Sequence, residues 1–199
     1  VRGVDLADPI ILQTKAKLRK IAPRPQASFV VGDMRSFRDG ERYAAVVLAF
    51  NTLMHLTDDD DVLAALETAR VHLADDGLFH LDVHGPYLEL LQRPSEGRYD
   101  PQEMVDPQGH RYVVTANNSY DPRRQINTKR FFYPRVDERG GRSGEERFTE
   151  LVLRVLFPRE HDLFLKLAGF EVVGDWEGFR RETDYQGTGG RRVMCCRAR

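Results

Sequence analysis

The chain has 199 residues, 41% of them apolar, with 30 Lys+Arg against 31 Asp+Glu. That length suits one compact domain with a sizeable core, and the apolar fraction is too high for a disordered chain. A formal net charge of −1 argues against a protein that coats nucleic acid.

No run approaches the roughly 18 apolar residues that span a bilayer, so no membrane segment is expected, and no signal-peptide pattern opens the chain. The two cysteines, Cys195 and Cys196, are adjacent. That spacing suits neither a disulfide framework nor a zinc site, and it fits a reducing cytoplasm with no bound metal.

Val1–Val4 reads as the end of a strand with no lead-in, so the chain is expected to start partway into a longer one. Asp8-Pro9 signals a helix start, an N-cap followed by proline at the first helical position. Ile11, Lys15, Leu18 and Ile21 fall roughly on one face, and Pro23 and Pro25 close the helix. Ser28–Val31 is a second strand, ended by Gly32-Asp33. Tyr43–Phe50 is a continuous apolar run of the kind buried on both faces. Val62, Leu66, Ala69 and Leu73 mark an amphipathic helix with aspartates at its positive end. Gly77 sits where a C-cap glycine belongs, and Leu78–Val83 is a further strand.

The second half reads differently. Residues 86–108 are rich in Pro, Gly, Glu and Asp and read as a loop or lid. His110–Tyr120, Gln125–Arg135 and Glu146–Phe157 are three strands of an antiparallel meander. A helix from Pro158 to Gly169 and strands at Glu171–Trp176 and Arg192–Cys196 complete the chain, with a glycine turn at Gly187–Gly190 between those strands.

In an open parallel sheet, ligands bind outside the carboxyl ends of the strands. Asp5, Asp33, Asn51 and His84 each follow a strand, so all four are expected to line one crevice. Asp5 suits a ribose diol, or it helps start the next helix. Asp33 suits an exocyclic amine such as adenine N6, with Met34 covering the ring, or Gly32-Asp33 is a plain turn. His55 is a candidate base, with packing at the following helix as the alternative. His80, Asp82 and His84 alternate along one strand. Asp82 and His84 are expected at the pocket mouth, and a metal site there would need open space beside a covered sheet. Between Arg123 and Arg142, seven Lys+Arg face two acids, Asp137 and Glu138, around Phe131, Phe132 and Tyr133. This stretch reads as a solvated hairpin, with RNA contact as the alternative. Asp58–Asp61 reads as a solvated helix start.

Gly3-Val4-Asp5-Leu6, Phe29–Phe37 with its Gly32-Asp33-Met34, Val47–Leu56, and Leu73–Val83 together resemble the class I S-adenosylmethionine-dependent methyltransferases. Phe157–Glu160 with Leu167–Val173, and the antiparallel insertion, are similar to small-molecule members such as glycine/sarcosine-type and sugar-amine N-methyltransferases. The resemblance implies a Rossmann-like three-layer α/β sandwich with a mostly parallel sheet and a three-stranded antiparallel insertion. Residues 1–86 would form a partial cofactor-binding core, 87–157 the cover of the acceptor site, and 158–199 the last helix and strands.

It also implies S-adenosyl-L-methionine as cofactor and a small molecule as methyl acceptor at N or O. Asp5 would hold the ribose and Leu6 would pack on the adenine. Asp33 would accept from the adenine amine, with the Met34 N–H at the ring edge. Ala49 and Asn51 would lie beside the sulfonium, and His55 or His84 would serve as base. The family's first strand, glycine-rich loop and first helix have no counterpart here and would precede Val1. That strand is central in the family's sheet, so a gap is expected between the strand ending at Asp5 and the one ending at Phe50. A degenerate module with a partner-binding role is the alternative to an enzyme.

Overall fold

The computed structural model describes residues 1–23, 25–137, 139–187 and 190–199. Glu138 and the centre of the expected Gly187–Gly190 turn lie outside them. The elements in chain order are β1 (Arg2–Asp5), α1 (Asp8–Leu18), β2 (Ser28–Val31), β3 (Tyr43–Leu48), a 3-10 turn (Thr52–His55), α2 (Asp59–Val71) and β4 (Leu73–His84). They continue with α3 (Leu88–Leu91), β5 (Tyr99–Val105), β6 (Arg111–Asp121), β7 (Ile126–Val136), β8 (Arg142–Arg154), α4 (Pro158–Leu167), β9 (Phe170–Glu177) and β10 (Arg191–Ala198).

The α/β part carries two sheets. One pairs β1 with β2 in parallel, and the other runs β3-β4-β10-β9. β3 and β4 are parallel, while β10 lies antiparallel to both β4 and β9. The third sheet is an antiparallel meander, β5-β6-β7-β8. The core lies between α2, β4, α4 and β10, where Val62, Leu66, Phe79, Leu156, Leu165 and Met194 are almost wholly shielded from water. The four- and three-residue spacing in α2 puts Val62, Leu66 and Ala69 on that face. At the start of α4, the Phe157 N–H donates to Glu160 Oε2 at 2.8 Å, closing one of the helix's orphan donors.

Four local expectations need correction. α1 is capped from outside: Asp8 is its first helical residue, and Asp5 Oδ1 accepts the Ala7 N–H at 2.8 Å. The helix ends at Leu18, short of the prolines. The 86–108 segment is not a plain loop, because it holds α3 and β5 and gives the insertion a fourth strand. β5 (Tyr-Asp-Pro-Gln-Glu-Met-Val) is an exposed edge strand that needs no apolar alternation, and an edge tolerates its proline.

Gly77 is not a C-cap, since α2 ends at Val71 with His72 as its C-cap and Gly77 lies inside β4. There the β3–β4 pairing jumps from Tyr43↔Leu73 to Ala45↔Leu78. A Cβ on Gly77 would meet the Tyr43 carbonyl at 2.8 Å and the Ala74 carbonyl at 3.0 Å, both backbone atoms. Gly77→Val is therefore expected to cost about 1–3 kcal/mol by overpacking, read as a lower urea midpoint. An unchanged midpoint would show that the bulge yields freely.

The fourth correction concerns β3. Its apolar run is not buried on both faces: Val47 is 63% exposed, and the pattern along the strand is mostly open. Among the described residues, β3 pairs only with β4 and β1 only with β2, so each leaves one edge unpaired. Between the two edges lies an apolar slot of about 500 Å³, bounded by Gly3 and Val4 on one side, Val46 and Leu48 on the other, with Phe37 and Phe79 also lining it. The slot lies between the two strands where the family resemblance implied a gap.

Candidate functional site

The candidate residues at the carboxyl ends of the strands fall into two pairs. On one side, the parallel register Asp5↔Val31 and the bond from the Gly32 N–H to the Asp5 carbonyl (3.0 Å) bring Asp5 and Asp33 to neighbouring strand ends. Leu6 beside them is 70% exposed, an apolar surface on which a flat ring can rest. One Asp5 oxygen serves the Ala7 N–H, and the other has no hydrogen-bond partner among the described residues.

Asp33 is more heavily engaged. Arg35 Nε donates to both of its oxygens at 3.0 Å, Arg35 Nη2 to Oδ2 at 2.6 Å, and the Arg35 N–H to Oδ1 at 2.9 Å. Hydrogen bonds from the Arg35 side chain hold the Asp33 carboxyl below its usual range. Arg35 also reaches Asp61 at 2.8 Å, so the cation bridges β2's end to α2. An exocyclic amine reaches Asp33 only when the Arg35 fork lets go of an oxygen. Met34 is half-buried and turns into the slot.

On the other side, β3 leads through Ala49 into two residues in the left-handed region, Phe50 (φ 64°) and Asn51 (φ 64°). Asparagine tolerates that conformation. For phenylalanine it costs roughly 1–2 kcal/mol, so other bonds must hold it. Asp82 supplies them: its Oδ1 accepts the Phe50 N–H at 2.6 Å, and its carbonyl accepts the Asn51 N–H at 3.3 Å. Asn51 Oδ1 in turn accepts the His84 N–H at 2.8 Å, tying the ends of β3 and β4 together. Asp82 does not reach the pocket mouth as the strand alternation suggested. It is 4% exposed and ion-paired with Arg191 of β10. Burial pushes the His84 imidazole below its ordinary pKa. His55 closes the 3-10 turn and is exposed, and Ala49, which leads into that turn, is also exposed.

The structure thus brings Asn51 and His84 together, and Asp5 and Asp33 together, with the slot between the pairs. Several residues of the crevice carried no sequence signal: the exposed rings of Phe50 and Phe179, the half-open Tyr87, and Arg191, whose guanidinium lies 5.4 Å from the Phe50 ring centre and 5.5 Å from that of Phe179. The Asp33–Arg35 fork was also not anticipated, although its two-residue spacing is a local signal that could have found it. No helix among the described residues is long and apolar enough to cross a membrane. Among them, no cluster of three or more His, Cys, Asp or Glu is placed to hold a metal ion.

Solved structures with this arrangement decide the architecture. The CcbJ methyltransferase from Streptomyces caelestis superposes with a TM-score of 0.77 at 24% identity, over 100% of this chain and 74% of that one. A S-adenosylmethionine-dependent methyltransferase from Clostridium acetobutylicum gives 0.78 at 14% identity, over 99% and 74%. The chain has the S-adenosylmethionine-dependent methyltransferase fold. The glycopeptide N-methyltransferase MtfA, complexed with S-adenosyl-L-methionine, shares it at a TM-score of 0.62 and 16% identity, over 100% and 72%.

In sequence, 69 residues are 38% identical to dTDP-3-amino-3,6-dideoxy-alpha-D-glucopyranose N,N-dimethyltransferase from Streptomyces fradiae. That stretch is 34% of this chain and spans only 27% of the relative's length. No family model matches the chain.

Proposed function

We propose that the chain is an S-adenosylmethionine-dependent N-methyltransferase whose acceptor is a small amine, of which an amino sugar is the leading case. The observation that carries this reading is the pairing of Asp5 with Asp33 and of Asn51 with His84 at one edge of a methyltransferase fold. The free oxygen of Asp5 suits a ribose diol, and exposed Leu6 suits the face of an adenine. Bound there, S-adenosyl-L-methionine supplies a methyl group on a positively charged sulfur, open to in-line displacement by an amine nitrogen.

The protein's own work is alignment and exclusion of water. Asp5 and Asp33 would set the nucleoside end, while Ala49 and Asn51 would border the reacting end. A neutral amine attacks with its own lone pair, so no base has to act first. The product ammonium then sheds its proton to water, with exposed His55 as the nearby candidate to take it. The parts 1–86, 87–157 and 158–199 are read as cofactor core, acceptor cover and closing layer. The reading places the enzyme in the cytoplasm, supported by Cys195 and Cys196 being free and buried, with the Cys196 thiol pushed up to about 12 by burial. Nucleic acid is not the expected acceptor, because the cations of the basic hairpin that are paired, such as Arg130 with Glu150, serve the sheet itself.

Isothermal titration with S-adenosyl-L-methionine tests this. Saturable binding is expected, weakened about 10- to 100-fold by Asp5→Ala and by Asp33→Ala, as befits the loss of charge-assisted hydrogen bonds. Arg35→Met is expected to tighten binding by releasing Asp33. No heat from the unaltered chain sinks the reading. Unaltered affinity in both aspartate variants sinks the site. The slot favours a second reading, in which the fold serves as a non-catalytic module whose two open strand edges take an extended strand of a partner protein. Retained partner binding without any cofactor binding would select it.

A further inference from the structure

The end of β4 carries a chain of contacts that the assignment of His84 as a base does not use. Arg191 Nη1 is ion-paired with buried Asp82, and Arg191 Nη2 stands 3.0 Å from His84 Nε2. On the other side of the same ring, His84 Nδ1 is 3.4 Å from the hydroxyl of Tyr87, and the two rings lie 5.5 Å apart between centres.

A guanidinium only donates hydrogen bonds. His84 Nε2 must therefore accept, and a neutral imidazole then carries its single proton on Nδ1. That proton points along the contact to Tyr87, whose oxygen accepts it. Burial lowers the pKa of the imidazole, which favours the neutral ring that the contact with a donor-only guanidinium requires. The lone pair a base would need is occupied by Arg191.

Arg191 is itself fixed in place. Its side chain is mostly buried, the Asp82 carboxylate holds one arm, and the rings of Phe50 and Phe179 flank it. The same Asp82 holds the Phe50 N–H, so the relay and the strained turn beside it share one anchor. Tyr87 is 48% exposed. With one lone pair taken by His84, it keeps its own O–H and a second lone pair for a molecule in the crevice. An amine N–H can be received by that lone pair, and an adjacent hydroxyl can receive the O–H, which together fit an amino alcohol such as an amino sugar.

We propose that Arg191 is a positioning residue that holds His84 in its Nδ1–H form and, through it, the phenol oxygen of Tyr87, so that Tyr87 and not the imidazole meets the acceptor amine. This rests on the methyltransferase reading. The relay itself, however, can be read without any turnover.

Long-range nitrogen–proton NMR of the labelled full chain reports the tautomer directly. A protonated Nδ1 and an unprotonated Nε2 are expected for His84, with the preference lost in Arg191→Lys, whose single nitrogen cannot serve Asp82 and the imidazole in the same fork. A proton on Nε2 overturns the proposal whatever the activity. With dTDP-3-amino-3,6-dideoxyglucose as probe acceptor, Tyr87→Phe and Arg191→Lys should each raise the acceptor KM at least tenfold and change kcat less than threefold. His84→Asn keeps a donor near the Nδ1 position but offers no base, so it should raise the acceptor KM and lower kcat by less than tenfold. Collapse of kcat by more than a hundredfold in His84→Asn, with KM unmoved in Tyr87→Phe, restores the imidazole as base and overturns the proposal. A correct tautomer in a chain that binds no S-adenosyl-L-methionine instead counts against the methyltransferase reading.

Discussion

Between pH 7 and pH 4, His161 alone is expected to remove on the order of 3 kcal/mol from the stability of the fold. It sits on the inner face of α4, 2% exposed, and neither ring nitrogen has a partner among the described residues. Burial pushes its pKa down to about 3 from 6.5, the charge on Arg192 of β10 adds to that, and Asp175 of β9 opposes it. Below about pH 6.5 the unfolded chain takes up a proton that the folded chain refuses until about pH 3. Stability attributable to this group is thus whole above pH 6.5 and declines as pH falls through that window. His161→Phe removes the titration and keeps the volume close. Urea midpoints for the two proteins should draw apart as pH drops from 7 to 4, with the variant the more resistant at the acid end. Parallel curves would show that His161 finds a proton partner after all.

The second large effect is expected from Phe79→Ala. Phe79 is wholly buried in β4, its ring lies 5.0 Å from that of Phe170, and it also lines the slot between the two sheets. Truncation of a buried phenylalanine costs about 3–5 kcal/mol, a large part of the 5–15 kcal/mol that separates folded from unfolded states. Phe79→Leu should recover more than half of the loss. The check is the urea midpoint at constant slope. A loss below about 1 kcal/mol would mean that the slot lets its walls close over the space, so that no cavity remains.

How much of this was readable from the residues depends on how local each cause is. α2 follows from its own periodicity, because the spacing of Val62, Leu66 and Ala69 fixes which face goes inward. The carboxyl-end positions of Asp5, Asp33, Asn51 and His84 follow from where apolar runs stop: Asp5 and His84 end their strands, and Asp33 and Asn51 lie two and three residues past theirs. β3 shows the limit. Its run of Ala, Val and Leu says that the strand prefers burial but not whether a neighbour stands on each side, and here one side is open. β5 was missed because an exposed edge strand leaves no alternation to detect. Arg191 was missed for a different reason: its partners Asp82 and His84 lie more than a hundred residues earlier, and only the antiparallel pairing of β10 with β4 brings them within reach. The Asp33–Arg35 fork was missed as well, though its two-residue spacing is local and offered a signal.

The split between the sheets has a consequence for affinity. Residues 1–31 hold Asp5 on a small lobe of two short strands and one helix, steadied against the rest by contacts such as the exposed-side bridge from Arg2 to Asp39 at 3.6 Å. Asn51 and His84 belong to the larger body across the slot. A ligand that contacts both must span the two sheets, so its affinity depends on how they are set against each other as well as on the side chains it touches, and substitutions at the Arg2–Asp39 contact would alter recognition without touching the ligand at all.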